Sequence, residues 1–207
     1  MTTDVEPLRT PPRKRLSLSS NQIRSFISID LDDPQLQSKV ESLTSSLLNL
    51  GADLKPVEKE NVHITIKFLG SVERAKLEQV KTVLAQVRFQ QFPVEVRGAG
   101  AFPNMNKINV IWIGLGQGWT SVEQIYEQTE RLLSELGFVR ESRGFSPHVT
   151  IARVKSSRRR DEVSKFLSGL SDENFGVFQV KTLRLKQSML RPSGPTYSTL
   201  YETSALQ

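Results

Sequence analysis

The sequence predicts an α+β fold with internal duplication, and three observations point to it. From residue 23 onward, short alternating apolar–polar stretches take turns with longer stretches of helical period. The order of those stretches repeats in two halves. Each half then places the same four-residue pattern in the same slot.

Residues 23–30 (IRSFISID) alternate as a strand does. Asp33-Pro34 opens a helix, because proline suits a first helical turn. Leu36, Val40, Leu43, Leu47 and Leu50 then share one face, and Gly51 supplies a stop. Residues 61–68 (NVHITIKF) form a second strand, and residues 73–87 a helix with Leu77, Val80, Leu84 and Val87 on its buried stripe. Residues 92–97 read as a strand, leading to a loop over 98–106 that carries glycine and proline. The second half opens with a strand at 108–113. Thr120 and Glu123 then make a capping-box pattern for a helix that buries Val122, Ile125, Tyr126, Leu132, Leu133 and Leu136 and ends at Gly137. A strand at 148–154 (HVTIARV), a short helix at 161–170, a strand at 177–185 and a closing strand at 197–202 complete the chain. Pro192, Gly194 and Pro195 make the last turn. Ile23 precedes His63 by 40 residues, and Ile108 precedes His148 by the same 40.

Composition sets outer bounds. With 207 residues, 37% hydrophobic and 24% charged, the chain is long enough for one domain or two small lobes around a sizeable core. No apolar run approaches the ~20 residues of a membrane span. The absence of cysteine excludes disulfides and thiolate metal sites. The net charge of +6 hints at an anionic partner, but residues 1–22 carry Arg9, Arg13, Lys14 and Arg15 against Asp4 and Glu6. Only +4 therefore belongs to the remainder. Rich in Pro, Ser, Thr and basic residues and without apolar period, residues 1–22 read as a disordered leader, and residues 23–207 as a single folded unit.

The chain holds only two histidines, and they open His63-Ile64-Thr65-Ile66 and His148-Val149-Thr150-Ile151. On a strand, residues two apart share a face, so each imidazole has a threonine hydroxyl beside it and β-branched residues on the opposite face. Strand parity also sends Phe68 toward the core. In-line cleavage of a phosphodiester needs a base on the entering oxygen and an acid on the departing one. Paired imidazoles serve both roles near neutrality. A neighbouring hydroxyl can donate to a phosphate oxygen as charge builds there. Zinc ordinarily takes three or four protein ligands, a set that two histidines without cysteine or a suitably spaced acid do not make, so no metal or other cofactor is expected.

Two such motifs on strands of a duplicated α+β chain resemble the 2H phosphoesterase superfamily. The stretches IRSFISIDL, ENVHITIKFLG, GFSPHVTIARV and LKQSMLRPSGPTYSTL are similar to its LigT-like branch, the RNA 2′,3′-cyclic phosphodiesterase (ThpR) family once called 2′-5′ RNA ligase, over about residues 23–203. The resemblance implies a bilobal fold, with two antiparallel sheets forming a V-shaped cleft and helices outside. It implies hydrolysis of a terminal 2′,3′-cyclic phosphate to a 2′-phosphomonoester, with 2′-5′ ligation as related reverse chemistry. His63 would be proton donor, His148 proton acceptor, and Thr65 and Thr150 phosphate contacts. The expected partner is RNA ending in a cyclic phosphate, tRNA fragments among the candidates, met by a cytoplasmic monomer without a membrane.

Arg153 matches an arginine that binds phosphate in relatives, although strand parity turns it away from His148 unless the strand bulges. Lys67 has the parity of His63 and could neutralise substrate charge. Phe26 and Phe102 are candidates for stacking on a base, with core burial expected for Phe26, and the run Arg158–Arg160 is a candidate RNA contact. Two other functions remain open at this stage. One is a 2H enzyme acting on a small nucleotide cyclic phosphate or another RNA 3′ end, and the other a non-catalytic module that binds RNA ends.

Overall fold

The computed structural model describes residues 21–142, 144–191 and 194–206. The expected leader lies outside these residues except for Asn21 and Gln22, and so does Pro192 of the last turn. The elements run β1 (Gln22–Asp30), α1 (Pro34–Asn49), β2 (Leu54–Pro56), a 3-10 turn (Lys59–Asn61), β3 (His63–Glu73), α2 (Arg74–Leu84), β4 (Phe92–Asn104), β5 (Lys107–Leu115), α3 (Trp119–Glu135), β6 (His148–Val154), α4 (Arg160–Ser168), β7 (Asn174–Val180), β8 (Thr182–Arg191) and β9 (Gly194–Ser204). The strands form one sheet in the order β7-β4-β5-β6-β3-β1-β8-β9, with short β2 on β6. All pairings between these named strands are antiparallel.

The two halves interleave. β4 of the first half lies beside β5, while β8 of the second half lies beside β1 and carries β9 beyond it. The histidine strands β3 and β6 sit at the middle and meet at a single rung, Ile64 opposite Val149. Two four-stranded antiparallel arrays thus join along one rung into a curled half-barrel. The core lies on one side of it, where Ile27, Ile29, Ile64, Ile66, Val149 and Ile151 pack with Leu36, Val40, Leu77, Val80, Ile125 and Leu133 of the helices. Each such side chain contributes roughly 1.5–3 kcal/mol when fully buried.

Local signals hold at α1, where Asp33 accepts from the Leu36 amide at 2.8 Å and Pro34 stands at the start. Elsewhere the chain departs from its pattern. The expected 98–106 loop is mostly the far part of β4, bent by irregular pairing around Arg97–Gly98 and again at Phe102. The segment expected as one strand at 177–185 divides at Lys181 into β7, at one edge of the strand order, and β8, next to the other edge. α3 starts one residue before Thr120, behind Gly118 at φ 90°, so the capping box is not formed.

Candidate active site

The positions of the site residues follow from two matched bulges. In β3, Lys67 pairs with Ile27 and Thr65 with Ser28, so Ile66 is the extra residue. In β6, Ala152 pairs with Ile111 and Thr150 with Trp112, so Ile151 is the extra residue at the equivalent position. A bulge shifts the alternation of side chains by one. Ile66 and Lys67 consequently both turn inward, as do Ile151 and Ala152, all of them buried. Beyond the bulges, Phe68 and Arg153 return to the face of the histidines. The open face therefore reads His63, Thr65, Phe68 on one strand and His148, Thr150, Arg153 on the other.

This resolves the parity objection to Arg153, which is exposed on the His148 face. It also corrects two expectations. Lys67 does not stand beside His63 on the open face, because its ammonium is buried and donates to Glu130 and to the Val139 carbonyl. Phe68 does not enter the core. It is 71% exposed, with its ring 6.2 Å from that of Phe26, which in turn lies 5.0 Å from His63. Sequence reasoning missed Phe68 as a site residue, since nothing in the residue pattern marks a bulge.

The antiparallel rung at Ile64 and Val149 sets His63 across from Thr150 and Thr65 across from His148. Each imidazole is fixed in the same way. His63 donates through Nδ1 to the Asn61 carbonyl at 2.6 Å, and His148 through Nδ1 to the Ser146 carbonyl at 2.7 Å. A carbonyl only accepts, so Nδ1 carries the proton in both rings, and Nε2 is left as the nitrogen that exchanges protons. Two aromatic rings flank each histidine. His63 packs with Phe26 and, edge-on at 5.5 Å, with Tyr197. His148 packs with Phe102 at 4.8 Å and with Trp112 at 6.3 Å. Phe26 and Phe102 thus back the histidines rather than offering free faces. Gly100 makes room for Trp112, since a Cβ there would lie 2.4 Å from the indole ring.

The charged surroundings of the two rings differ. Asp30 stands directly across from His63 in the β1–β3 pairing. Its Oδ2 accepts from Lys186 at 2.6 Å and from Arg184 at 3.0 Å, and its Oδ1 from Ser28 at 2.9 Å. Burial acts to raise the Asp30 carboxyl, but Lys186, Ser28 and Arg184 outweigh it and hold it below the usual carboxylate value. Burial pushes His63 below its ordinary value. The bond to Asn61 and the Asp30 charge oppose that shift, while Lys186 and a charge on His148 add to it. Burial also lowers His148, opposed only by its bond to Ser146. The charge of His148 is felt at His63, in keeping with their place on neighbouring strands joined at the Ile64–Val149 rung.

The Arg158–Arg160 run stands apart from this centre. Arg159 pairs with Glu162 and Arg160 with Asp161, while Arg158 and Arg160 line a small crevice with Ala52, Leu54 and Val163. Two hydrogen-bonded imidazoles facing two threonine hydroxyls across one rung can hold a phosphorus centre between a proton acceptor and a proton donor. The family model described as "LigT like Phosphoesterase" matches residues 29–112 and 118–197, the stretches that build this arrangement. The chain belongs to the LigT-like phosphoesterases. The chain is 40% identical over 167 residues to the RNA 2′,3′-cyclic phosphodiesterase of Aeropyrum pernix, covering 81% of this chain and 95% of that one. It is 39% identical to the enzyme of the same name from Archaeoglobus fulgidus, over 86% and 98%. Among solved structures, LigT of E. coli complexed with 3′-AMP shares the fold at a TM-score of 0.74, with 20% identity over 90% of this LigT-like chain and 99% of that one.

Proposed function

We propose that the protein hydrolyses the terminal 2′,3′-cyclic phosphate of RNA, the activity its relatives are named for, with tRNA fragments among the candidate substrates and a 2′-phosphomonoester as the product. The observation that carries this reading is the pair of matched Nδ1–carbonyl bonds, which leave two Nε2 atoms as the proton-exchanging nitrogens of one centre. In the proposed step, water attacks phosphorus and His148 Nε2 takes its proton. The bond from phosphorus to the 3′-oxygen breaks, and His63 Nε2 gives that oxygen its proton. Thr65 and Thr150 donate to the non-bridging oxygens, and Arg153 offsets their charge. Lys67, held by Glu130, has no part in it. Asp30 supports His63 as the donor, because a carboxylate across the strand favours the imidazolium there and His148 has no such neighbour. Phe68 offers the exposed ring on which the terminal base stacks.

The deciding experiment follows an oligonucleotide ending in a 2′,3′-cyclic phosphate and resolves the product as the 2′- or 3′-phosphate. A 2′-phosphate is expected. His63→Ala and His148→Ala each lower kcat by roughly 10²- to 10⁴-fold, the usual worth of a proton-transfer role, with circular dichroism unchanged. Full activity in either variant, or a 3′-phosphate product, overturns this assignment.

A further inference from the structure

Basic side chains on the open face fall into two groups. Arg184 and Lys186 are engaged by Asp30, Asp32 and Glu202. Arg24, Lys55 and Arg153 have no acidic partner among the described residues. The fold gathers this second group next to the catalytic centre. Lys55 stands directly across from Arg153 in the β2–β6 pairing. Its ammonium lies 3.0 Å from where a Cβ on Gly194 would sit, so the start of β9 comes over the strand paired with that of His148. On the other flank, Arg24 shares the face of Phe26. The register Ser25 to Gln187, extended by one, sets Arg24 across from Ser188, and Ser188 pairs with Tyr197.

Tyr197 joins these flanks to the reaction centre. Its ring lies edge-on to His63 at 5.5 Å. Burial raises its phenol, and Arg153 and Arg24 both act against that rise, so the hydroxyl lies within the field of both guanidiniums. Arg24 and Arg153 thus act on Tyr197 beside His63, and Lys55 stands across from Arg153. Like charges held close without carboxylates repel one another, and an anion relieves that repulsion.

We propose that Arg24, Lys55 and Tyr197, with Arg153, form a second anion subsite for the phosphodiester that links the terminal nucleotide to its predecessor. The enzyme then selects an oligonucleotide over a free nucleoside 2′,3′-cyclic phosphate. Because the contacts go to backbone phosphate, the preference is independent of sequence and weakens with salt. The proposal rests on the hydrolase reading above, and its test separates the two.

Kinetics are measured for the wild type, Arg24→Ala, Lys55→Ala and the double variant. The substrates are adenosine 2′,3′-cyclic phosphate, the cyclic-ended dinucleotide ApA, and the same dinucleotide with an uncharged methylphosphonate linkage. The wild type should favour the charged dinucleotide by about tenfold or more in kcat/KM, the size of one charge-assisted contact. The double variant should lose that preference through KM while keeping mononucleotide kinetics, and the methylphosphonate should behave in the wild type as the charged dinucleotide does in the variant. No preference in the wild type, or an equal loss on both substrates in the variant, overturns the subsite. If the wild type hydrolyses neither substrate, the assigned reaction fails instead. Fluorescence titration with a labelled dinucleotide ending in a 2′-phosphate then decides the subsite, which stands only if the double variant binds it about tenfold more weakly.

Discussion

Lys67 and Glu130, 63 residues apart in the chain, form a buried ion pair behind the first histidine strand. Glu130 also accepts from the Glu141 amide at 3.2 Å, and Lys67 donates to the Val139 carbonyl at 2.9 Å. Tyr126 stacks on Phe145 at 4.0 Å further along the same segment. The strand of His63 and the segment leading into His148 are thereby tied to one helix. Breaking a buried pair from one side leaves an uncompensated charge, so Glu130→Gln or Lys67→Met should each cost about 3–5 kcal/mol, whereas Lys67→Met with Glu130→Leu should cost much less. Urea unfolding of the three variants measures this. Additive losses would show that the two side chains act independently.

The acid–base pair should work on the acid side of ordinary histidine chemistry. His148 must be neutral to accept a proton, and its lowered pKa leaves it neutral below 6.5. His63 must be charged to donate, and its lowered pKa means that the proton is lost before pH 6.5 is reached. The bell-shaped profile of kcat/KM should therefore have its maximum below pH 6.5, and that of kcat should move upward because bound anionic phosphate favours imidazolium. With only two histidines in the chain, each ring gives its own NMR titration. An alkaline limb of kcat/KM above pH 6.5 would contradict the role given to burial.

Asp30→Asn separates the two rings. It removes the carboxylate that supports protonated His63 and leaves Lys186 facing it unbalanced, while Arg184 keeps Asp32 and Glu202. The alkaline limb should shift to lower pH, and activity at pH 7 should fall by roughly 10-fold, less than the loss of the proton donor itself. The His148 titration should stay in place. A shift in His148 rather than His63 would reverse the assignment of donor and acceptor.

Phe68→Ala removes an exposed ring, so stability should change by no more than about 0.5 kcal/mol. KM for a cyclic-ended oligonucleotide should rise by the roughly 1–3 kcal/mol of one base stack, with a smaller effect on kcat. An unchanged KM would place the base elsewhere.

Much of this could be read from residue pattern, and the exceptions share a cause. The strands of His63 and His148, the cap at Asp33 and the apolar stripes of α1 and α2 are visible because alternation and helical period are local properties. The place of Lys67, Phe68 and Arg153 was not legible, because the bulges that set it arise from register against β1 and β5. The break at Lys181 is hidden for a related reason: both sides of it are strand-like, and only sheet order separates them. Glu130, at a buried position on α3, had no visible partner until Lys67 turned inward.

The duplicated bulge has one more consequence. At its centre the arrangement has near-twofold symmetry, with histidine across from threonine on both sides, and a symmetric device has no means of telling the head of a polymer from its tail. By filling one reclaimed slot with phenylalanine and the other with arginine, the protein gives the groove a direction. Exchanging those two side chains would remove one of the cues that orient the bound strand, while Asp30 would still mark the His63 side.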